Sequence, residues 1–233
     1  MTQLVETEYR GLKIWAAANL HQECMAQITA LGLPTDTPVL DLGAGAGAFT
    51  QRLIDHGFAP QAVEFEAGKF QPDAPCYQWD LNQGFADKLA QHFPLIAAIE
   101  IIEHLENPRH FISHCLQLLQ PGGFLVVTSP NLESWVSRLR FLRSGRFLWF
   151  EEKDYQAYGH ITPLFTWEIA QICREHGAHV HHLAHTRNAM LWNSIGAGWL
   201  GILRSKTFPL TLLYPLMNGV KRGEINIYVI QRN

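Results

Sequence analysis

The segment EIIEH, residues 100–104, holds Glu100, Glu103 and His104 within five residues. It follows the apolar run LIAAI. A carboxylate at the end of a buried strand needs a partner or a task, because an unpaired charge is costly away from water. If a helical turn begins at Glu100, the three side chains fall at i, i+3 and i+4 on one face. Two carboxylates and an imidazole suit a divalent ion, Mg²⁺, Mn²⁺, Fe²⁺ or Zn²⁺. His160, in YGHITP, is the candidate fourth ligand. Such an ion would bind a substrate hydroxyl and lower its pKa. Without an ion, His104 or His160 is the candidate general base, with Glu100 beside the reacting groups. A structural reading stands next to these: Glu103 and His104 brace the loop by hydrogen bonds, and His104 is a buried, satisfied histidine.

A second group of residues lies upstream. In DLGAGAGAF, Gly43, Gly45 and Gly47 follow an apolar strand and open a helix. Small residues let a ligand approach the backbone, and the free amides of a helix start attract negative charge. The same spacing fits a dinucleotide fold. Asp41 speaks against that, because it would repel a pyrophosphate, whereas it suits a ligand with an ammonium group. The next strand ends in Glu64, placed for the two hydroxyls of a ribose. Glu66 is the other acid in reach, and position at the strand end favours Glu64. Asp80, at the end of the third strand, suits an adenine amino group. Ala44, Phe65 and Leu81 are the chain neighbours expected to line the same ligand. Amine, ribose and adenine together describe S-adenosylmethionine.

The elements that must carry these residues alternate. PVLDL is a strand, GAFTQRLIDHG a helix ended by Gly57, and QAVEFE, CYQWDL and LIAAIE are strands. PRHFISHCLQLLQPGG reads as a helix with a Pro-Gly-Gly stop before the strand FLVVTSP. TWEIAQICREHG reads as a helix with Thr166 as N-cap and Gly177 as stop. AHVHHLAHT and EINIYVI close the pattern as strands. Ahead of all these, LKIWAAANLHQECMAQITAL has helical periodicity. Short connections between alternating elements predict an α/β fold, a parallel sheet covered on both faces.

VLDLGAGAGAFT, AVEFE, WDL, IEIIEHLENP and LLQPGGFLVVTSPN resemble, in order and spacing, the successive motifs of class I S-adenosylmethionine-dependent methyltransferases. They cover residues 38 to 131. The resemblance implies a Rossmann-like, seven-stranded, mostly parallel sheet with the last strand antiparallel. It implies Asp41, Gly43, Gly45 and Gly47 as cofactor contacts, Glu64 on the ribose and Asp80 on the adenine. The ribose acid departs from the pattern in being Glu, where Asp is commoner. E-x-x-E-H resembles two branches. One is the ubiquinone-biosynthesis O-methyltransferases, which act on phenolic hydroxyls. The other is the small-RNA 3′-terminal ribose 2′-O-methyltransferases, where the motif and a further histidine bind a metal.

The 233 residues are 47% hydrophobic and 17% charged, with 18 Lys and Arg against 21 Asp and Glu, a net charge of −3. That composition builds a core, and the chain reads as one methyltransferase domain over 1–233. Net charge supplies no field for nucleic acid. The four dispersed cysteines, without C-x-x-C, suit reduced thiols, and MTQLVETEYR lacks a secretion signal, so the expected location is cytoplasmic. Two insertions stand out. Residues 131–164 interleave Arg138, Arg140, Arg143 and Arg146 with Trp135, Phe141, Phe147, Trp149 and Phe150, a candidate lid over the acceptor. Residues 189–217 are apolar, and suit an acceptor pocket, a homodimer contact or a peripheral membrane contact. Pro209 and Pro215 exclude one continuous helix there. His179 and His181 share one strand face with His182 on the other, and His21 and His56 fall on helix surfaces. The expected activity is methyl transfer to a small-molecule hydroxyl, the acceptor aromatic, lipid-like or glycan-linked. The rivals are RNA ribose methylation and a non-catalytic cofactor-binding partner subunit.

Overall fold

The computed structural model describes residues 6–186 and 223–233. A small antiparallel hairpin, β1 (Glu8–Tyr9) and β2 (Leu12–Lys13), comes first. Helix α1 (Leu20–Ala30) leads into β3 (Pro38–Leu42), α2 (Ala48–Asp55), β4 (Ala59–Glu64), β5 (Cys76–Gln78) and β6 (Phe93–Ala98). Then follow α3 (Pro108–Leu118), β7 (Leu119–Pro130), α4 (Trp135–Ser144), α5 (Glu152–Tyr158), α6 (Thr166–Glu175), β8 (Ala178–His185) and β9 (Ile225–Arg232).

One seven-stranded sheet organises the molecule, in the order β5-β4-β3-β6-β7-β9-β8. The pairs from β5 to β7 are parallel, and β9 runs antiparallel to both of its neighbours. Alternate residues of each strand face opposite layers. Leu40 and Leu42 of β3, with Ile96 and Ala98 of β6, pack on α3 and α6. Val39, Leu95 and Ala97 pack on α1 and α2. A sheet buried on both faces accounts for near-continuous apolar strands. It also puts Asp41, on the Val39 side, beneath α2.

The chain winds outward from β3 to β5, then crosses to β6 on the other side of β3. The carboxyl ends of β3 and β6 therefore border the crevice where an open α/β sheet takes its ligand. Asp41, the glycine turn, Glu64 and Glu100 all lie along that edge.

Several expectations are corrected. The helical periodicity from Leu12 does not start a helix there. Arg10 and Gly11 both have positive φ, 52° and 77°, and form a two-residue hairpin loop that engages Leu12 in β2, so α1 begins only at Leu20. His21 is buried, 7% exposed, because the inward stripe of α1 widens at its first turn to place the ring edge-on to Phe49 at 5.1 Å. His56 is exposed, as expected. Thr166 is the first helical residue of α6, and Phe165 is its cap; the Glu168 carboxylate accepts from the Phe165 N–H at 2.8 Å. The segment after β7 is more regular than its sequence suggests, with Ser134 capping α4 through the Ser137 N–H. His179, His181 and His182 are exposed on β8, where a register shift falls between Val180 and His182. The apolar insertion 189–217 lies outside the described residues. Among the described residues, no helix is long and apolar enough to cross a membrane.

Candidate functional site

The cofactor side is built from β3, the glycine turn and β4. Asp41 is buried and accepts a 2.5 Å hydrogen bond from the Thr50 hydroxyl on α2. Burial pushes its carboxyl up to about 7; the Thr50 bond opposes the shift and Glu64 adds to it. An acid held this way gains an opposite charge when a ligand ammonium arrives. Thr50 was not singled out in the sequence. The i, i+9 link it makes exists only because the helix folds back over its own strand.

The three glycines have different tasks. All have positive φ, 75°, 57° and 91° for Gly43, Gly45 and Gly47. A Cβ on Gly43 would lie 2.7 Å from Ile101 Cδ1, and one on Gly47 would collide with Pro72. Those two positions are closed by protein. Among the described residues, a Cβ on Gly45 would meet only Trp15, at 3.8 Å, so Gly45 is the most open of the three turn glycines. Its N–H donates to Glu64 Oε2 at 2.7 Å. Glu66 instead pairs with Lys69. Of the two acids, Glu64 is the one that touches the glycine turn. Phe65 is exposed and Leu81 is buried. Asp80 Oδ1 caps the turn that follows β5, accepting from Asn82 N–H at 2.9 Å.

Glu100 leaves β6 with φ 53°, a left-handed conformation that a glutamate seldom adopts. Thr128 on β7 fixes it twice: the Glu100 N–H donates to Thr128 Oγ1 at 2.8 Å, and that hydroxyl donates to Glu100 Oε1 at 3.2 Å. Desolvation raises the Glu100 carboxyl to about 7, opposed by the Thr128 hydrogen bond and then by the Ala17 main chain. The sharp exit separates Glu100 from the turn that carries the next two residues, a 3₁₀ turn over Ile102–His104.

Glu103, His104 and His160 come together. Their candidate ligand atoms all lie within 4.8 Å of one another. Of the four residues expected to act together, Glu100 lies outside this grouping, and its carboxylate accepts from the Thr128 hydroxyl. His160 reaches the site because the Glu103 carbonyl accepts from both Ile161 and Thr162 N–H at 3.0 Å. A loop brace thus exists, but it runs through the main chain. The Glu103 side chain is fully buried, and among the described residues neither carboxylate oxygen finds a hydrogen-bond partner outside its own residue. Desolvation, then Glu100, raises its pKa far above the usual carboxylate range. His160 Nδ1 lies 2.7 Å from the Trp149 carbonyl. A carbonyl only accepts, so Nδ1 carries the hydrogen and Nε2 of the neutral ring is the acceptor. Trp149 itself is strained, with φ 68°. His104 stands edge-on to His160 at 4.9 Å, its pKa lowered chiefly by burial and then by His160. Phe150 and Tyr158 close the ring of aromatics around His160, at 5.8 and 5.7 Å.

A family model described as "Methyltransferase domain" matches residues 16–183. The chain belongs to that family. It is a class I S-adenosylmethionine-dependent methyltransferase, and the β5-β4-β3-β6-β7-β9-β8 sheet is the matching fold. Among relatives, the methyltransferase is 31% identical over 101 residues to a ubiquinone biosynthesis O-methyltransferase of Coxiella burnetii, covering 40% of this chain and 43% of the relative. It is 24% identical over 180 residues to the protein of the same name in Salmonella enteritidis, covering 64% and 74%. The chain thus spans less than half the length of the first of these relatives. A crystal structure of a SAM-dependent methyltransferase from Archaeoglobus fulgidus superposes with TM-score 0.61 at 15% identity, over 91% of this chain and 94% of that one. The likeness in sheet order carries the fold.

Proposed function

We propose that this methyltransferase acts on a hydroxyl oxygen of a small aromatic or lipid-like acceptor, and that Glu103, His104 and His160 hold a divalent cation beside it. The single observation that carries the reading is the Glu103 carboxylate. A buried carboxylate with no partner is expensive, and a cation is the partner that would balance it. Two imidazoles within reach complete a donor set that suits Mg²⁺, Mn²⁺, Fe²⁺ or Zn²⁺. The bond from His160 Nδ1 to the Trp149 carbonyl is the outer support a ligating histidine needs, since it aims Nε2 and fixes the tautomer. The ubiquinone biosynthesis O-methyltransferases to which the chain is similar agree with an oxygen acceptor by their name.

Each residue then has a part. Asp41 receives the ammonium group of the methyl donor, the Gly45 position admits its backbone, and Glu64 takes the ribose hydroxyls. Asp80 accepts from the adenine amine, and Phe65 and Leu81 flank it. When bound, adenosylmethionine supplies a methyl group on a sulfonium sulfur that leaves as a neutral thioether. The bound cation would stabilise the acceptor oxygen as an alkoxide or phenoxide. Phe150 and Tyr158 hold the acceptor against His160, and the lid over 131–164 keeps water from it. The transfer is then largely a matter of alignment.

A second reading rests on the same histidine. With Nδ1–H committed to Trp149, His160 Nε2 is free to take the hydroxyl proton as a general base. Chelation separates the two. Activity on a catechol or phenol, read as methyl incorporation, should be lost after metal removal and restored by one of the four ions. Full activity after exhaustive chelation would refute the cation and leave the base. Transfer to amines but not hydroxyls would refute the acceptor class.

A further inference from the structure

The β1–β2 hairpin and most of the strap after it precede residue 16, where the family match begins, so that match assigns them no role. The structure ties them to the cofactor edge. The hairpin is fastened to α2, the helix that starts at the glycine turn. Tyr9 Oη donates to Asp55 Oδ2 at 2.8 Å, and Arg10 Nε donates to the same oxygen at 3.0 Å. Arg52 Nη2 donates to Glu6 Oε2 at 2.6 Å while its guanidinium covers the Tyr9 ring at 3.9 Å.

From this anchor the chain crosses the crevice. Trp15 lies over the most open of the turn glycines, its Cδ1 3.8 Å from the point where a Cβ on Gly45 would stand. Two residues on, the Ala17 main chain acts on the Glu100 carboxylate on the opposite rim and opposes the rise of its pKa. Residues 15–17 therefore span from β3 to β6, the two strands that border the binding crevice. Trp15 is 68% exposed although it sits within a strap pinned at both ends. The face of its indole already holds a cation: the Lys13 ammonium is 3.4 Å from the ring centroid.

We propose that Trp15 is a cofactor-contacting residue, forming the outer wall of the methionine end of the adenosylmethionine site and packing on the ammonium group of the zwitterionic amino-acid arm in place of Lys13. The inference rests on the crevice being the cofactor site. Three features converge on the methionine end. Gly45 is the most open of the turn glycines, Asp41 lies beneath the same turn, and the indole stands above it. An aromatic face is the surface an ammonium group seeks when the acid is on the other side.

The test uses the full-length chain and calorimetric titration with three probes: S-adenosylmethionine, S-adenosylhomocysteine, and 5′-methylthioadenosine, which lacks the amino-acid arm. Trp15→Ala should weaken the first two by roughly three- to thirtyfold, the span of an aromatic–cation contact, and leave methylthioadenosine within about twofold of wild type. Trp15→Phe should retain most of the affinity. The exposed position predicts an unchanged melting temperature for both variants. Equal affinity of wild type and Trp15→Ala for adenosylmethionine would overturn the proposal. So would equal weakening of all three probes, which marks a loosened fold. A wild-type chain that binds none of them overturns the cofactor assignment itself, a different and recognisable result.

Discussion

The Asp41 carboxylate and the Thr50 hydroxyl meet at 2.5 Å inside the protein, on β3 and α2 respectively, and neither residue has appreciable solvent contact. The pair keeps an acid under the glycine turn in a place where water cannot solvate it. Asp41→Asn removes the charge and keeps the shape. It should fold, and should lose adenosylmethionine affinity by about tenfold or more, as expected when one partner of a charge-assisted contact is neutralised. Thr50→Val should cost about 1–3 kcal/mol of stability, the penalty for stranding a buried acceptor. Calorimetry and thermal melts read both. Unchanged affinity in Asp41→Asn would remove Asp41 from the ammonium site.

The same acid sets a pH dependence. Its folded pKa of about 7 lies above the ordinary 3.8, so the folded state holds a proton that the unfolded chain has lost between those values. Stability of the unliganded chain must then fall as pH rises through that window. Glu100, raised from 4.5 to about 7, adds to the same slope. His21 acts oppositely. Its pKa drops from 6.5 to about 4, so the unfolded state binds the extra proton and stability rises with pH over that range. The slopes partly offset each other up to pH 6.5, and only the acids act above it. Thermal melts should show the melting temperature declining as pH rises from about 5.5 to about 7 and levelling off above that. Asp41→Asn should flatten that decline, and His21→Phe should extend it to lower pH. A melting temperature that climbs through neutrality would contradict this assignment of charges.

The glycine turn separates packing from binding. Gly47→Ala forces a side chain into Pro72 at φ 91°, and should destabilise by more than the about 1–2 kcal/mol that a left-handed Cβ alone costs. Gly45→Ala carries only that conformational cost, since its nearest neighbour is Trp15, and should mainly impair cofactor binding. Melting temperature against adenosylmethionine affinity distinguishes the two. A Gly47→Ala variant as stable as Gly45→Ala would be inconsistent with the closed packing described for it.

The fold, and the gathering of these residues along one sheet edge, were legible because strands, glycines and acids are read locally. Asp41, Gly45 and Glu64 sit in or beside strands whose hydrophobic pattern sets where they end. What escaped the sequence depends on contacts between distant segments. Thr50 gains its meaning from lying over Asp41, Thr128 from pairing with β6, and the Ala17 main chain from a strap that crosses the crevice. The helical reading of Leu12–Ala18 failed because periodicity cannot see that Tyr9 pairs with Leu12. The two-residue Arg10–Gly11 turn was the available signal. The acid triplet misled in one respect. Spacing put Glu100 on the face of Glu103 and His104, but the positive φ at Glu100 redirects its side chain, and no sequence pattern announces that a glutamate will adopt it.

Glu103 offers the sharpest test of whether the acceptor side was built for a cation. In the absence of an ion, a buried carboxyl without a partner among the described residues weakens the fold, and burial pushes its pKa up. Glu103→Gln is close in shape and cannot ionise. It should leave stability equal or slightly higher, while abolishing both divalent-ion binding by calorimetry and ion-dependent methyl transfer. His160→Phe should likewise lose ion binding, and it should also release the Trp149 carbonyl, which His160 Nδ1 now satisfies. That second effect predicts a loss of about 1 kcal/mol for the missing hydrogen bond. The two variants thus diverge in stability and converge in function if the cation is real. If Glu103→Gln still binds an ion and turns over normally, the carboxylate serves only the packing of the loop, and the ion-free base at His160 becomes the mechanism.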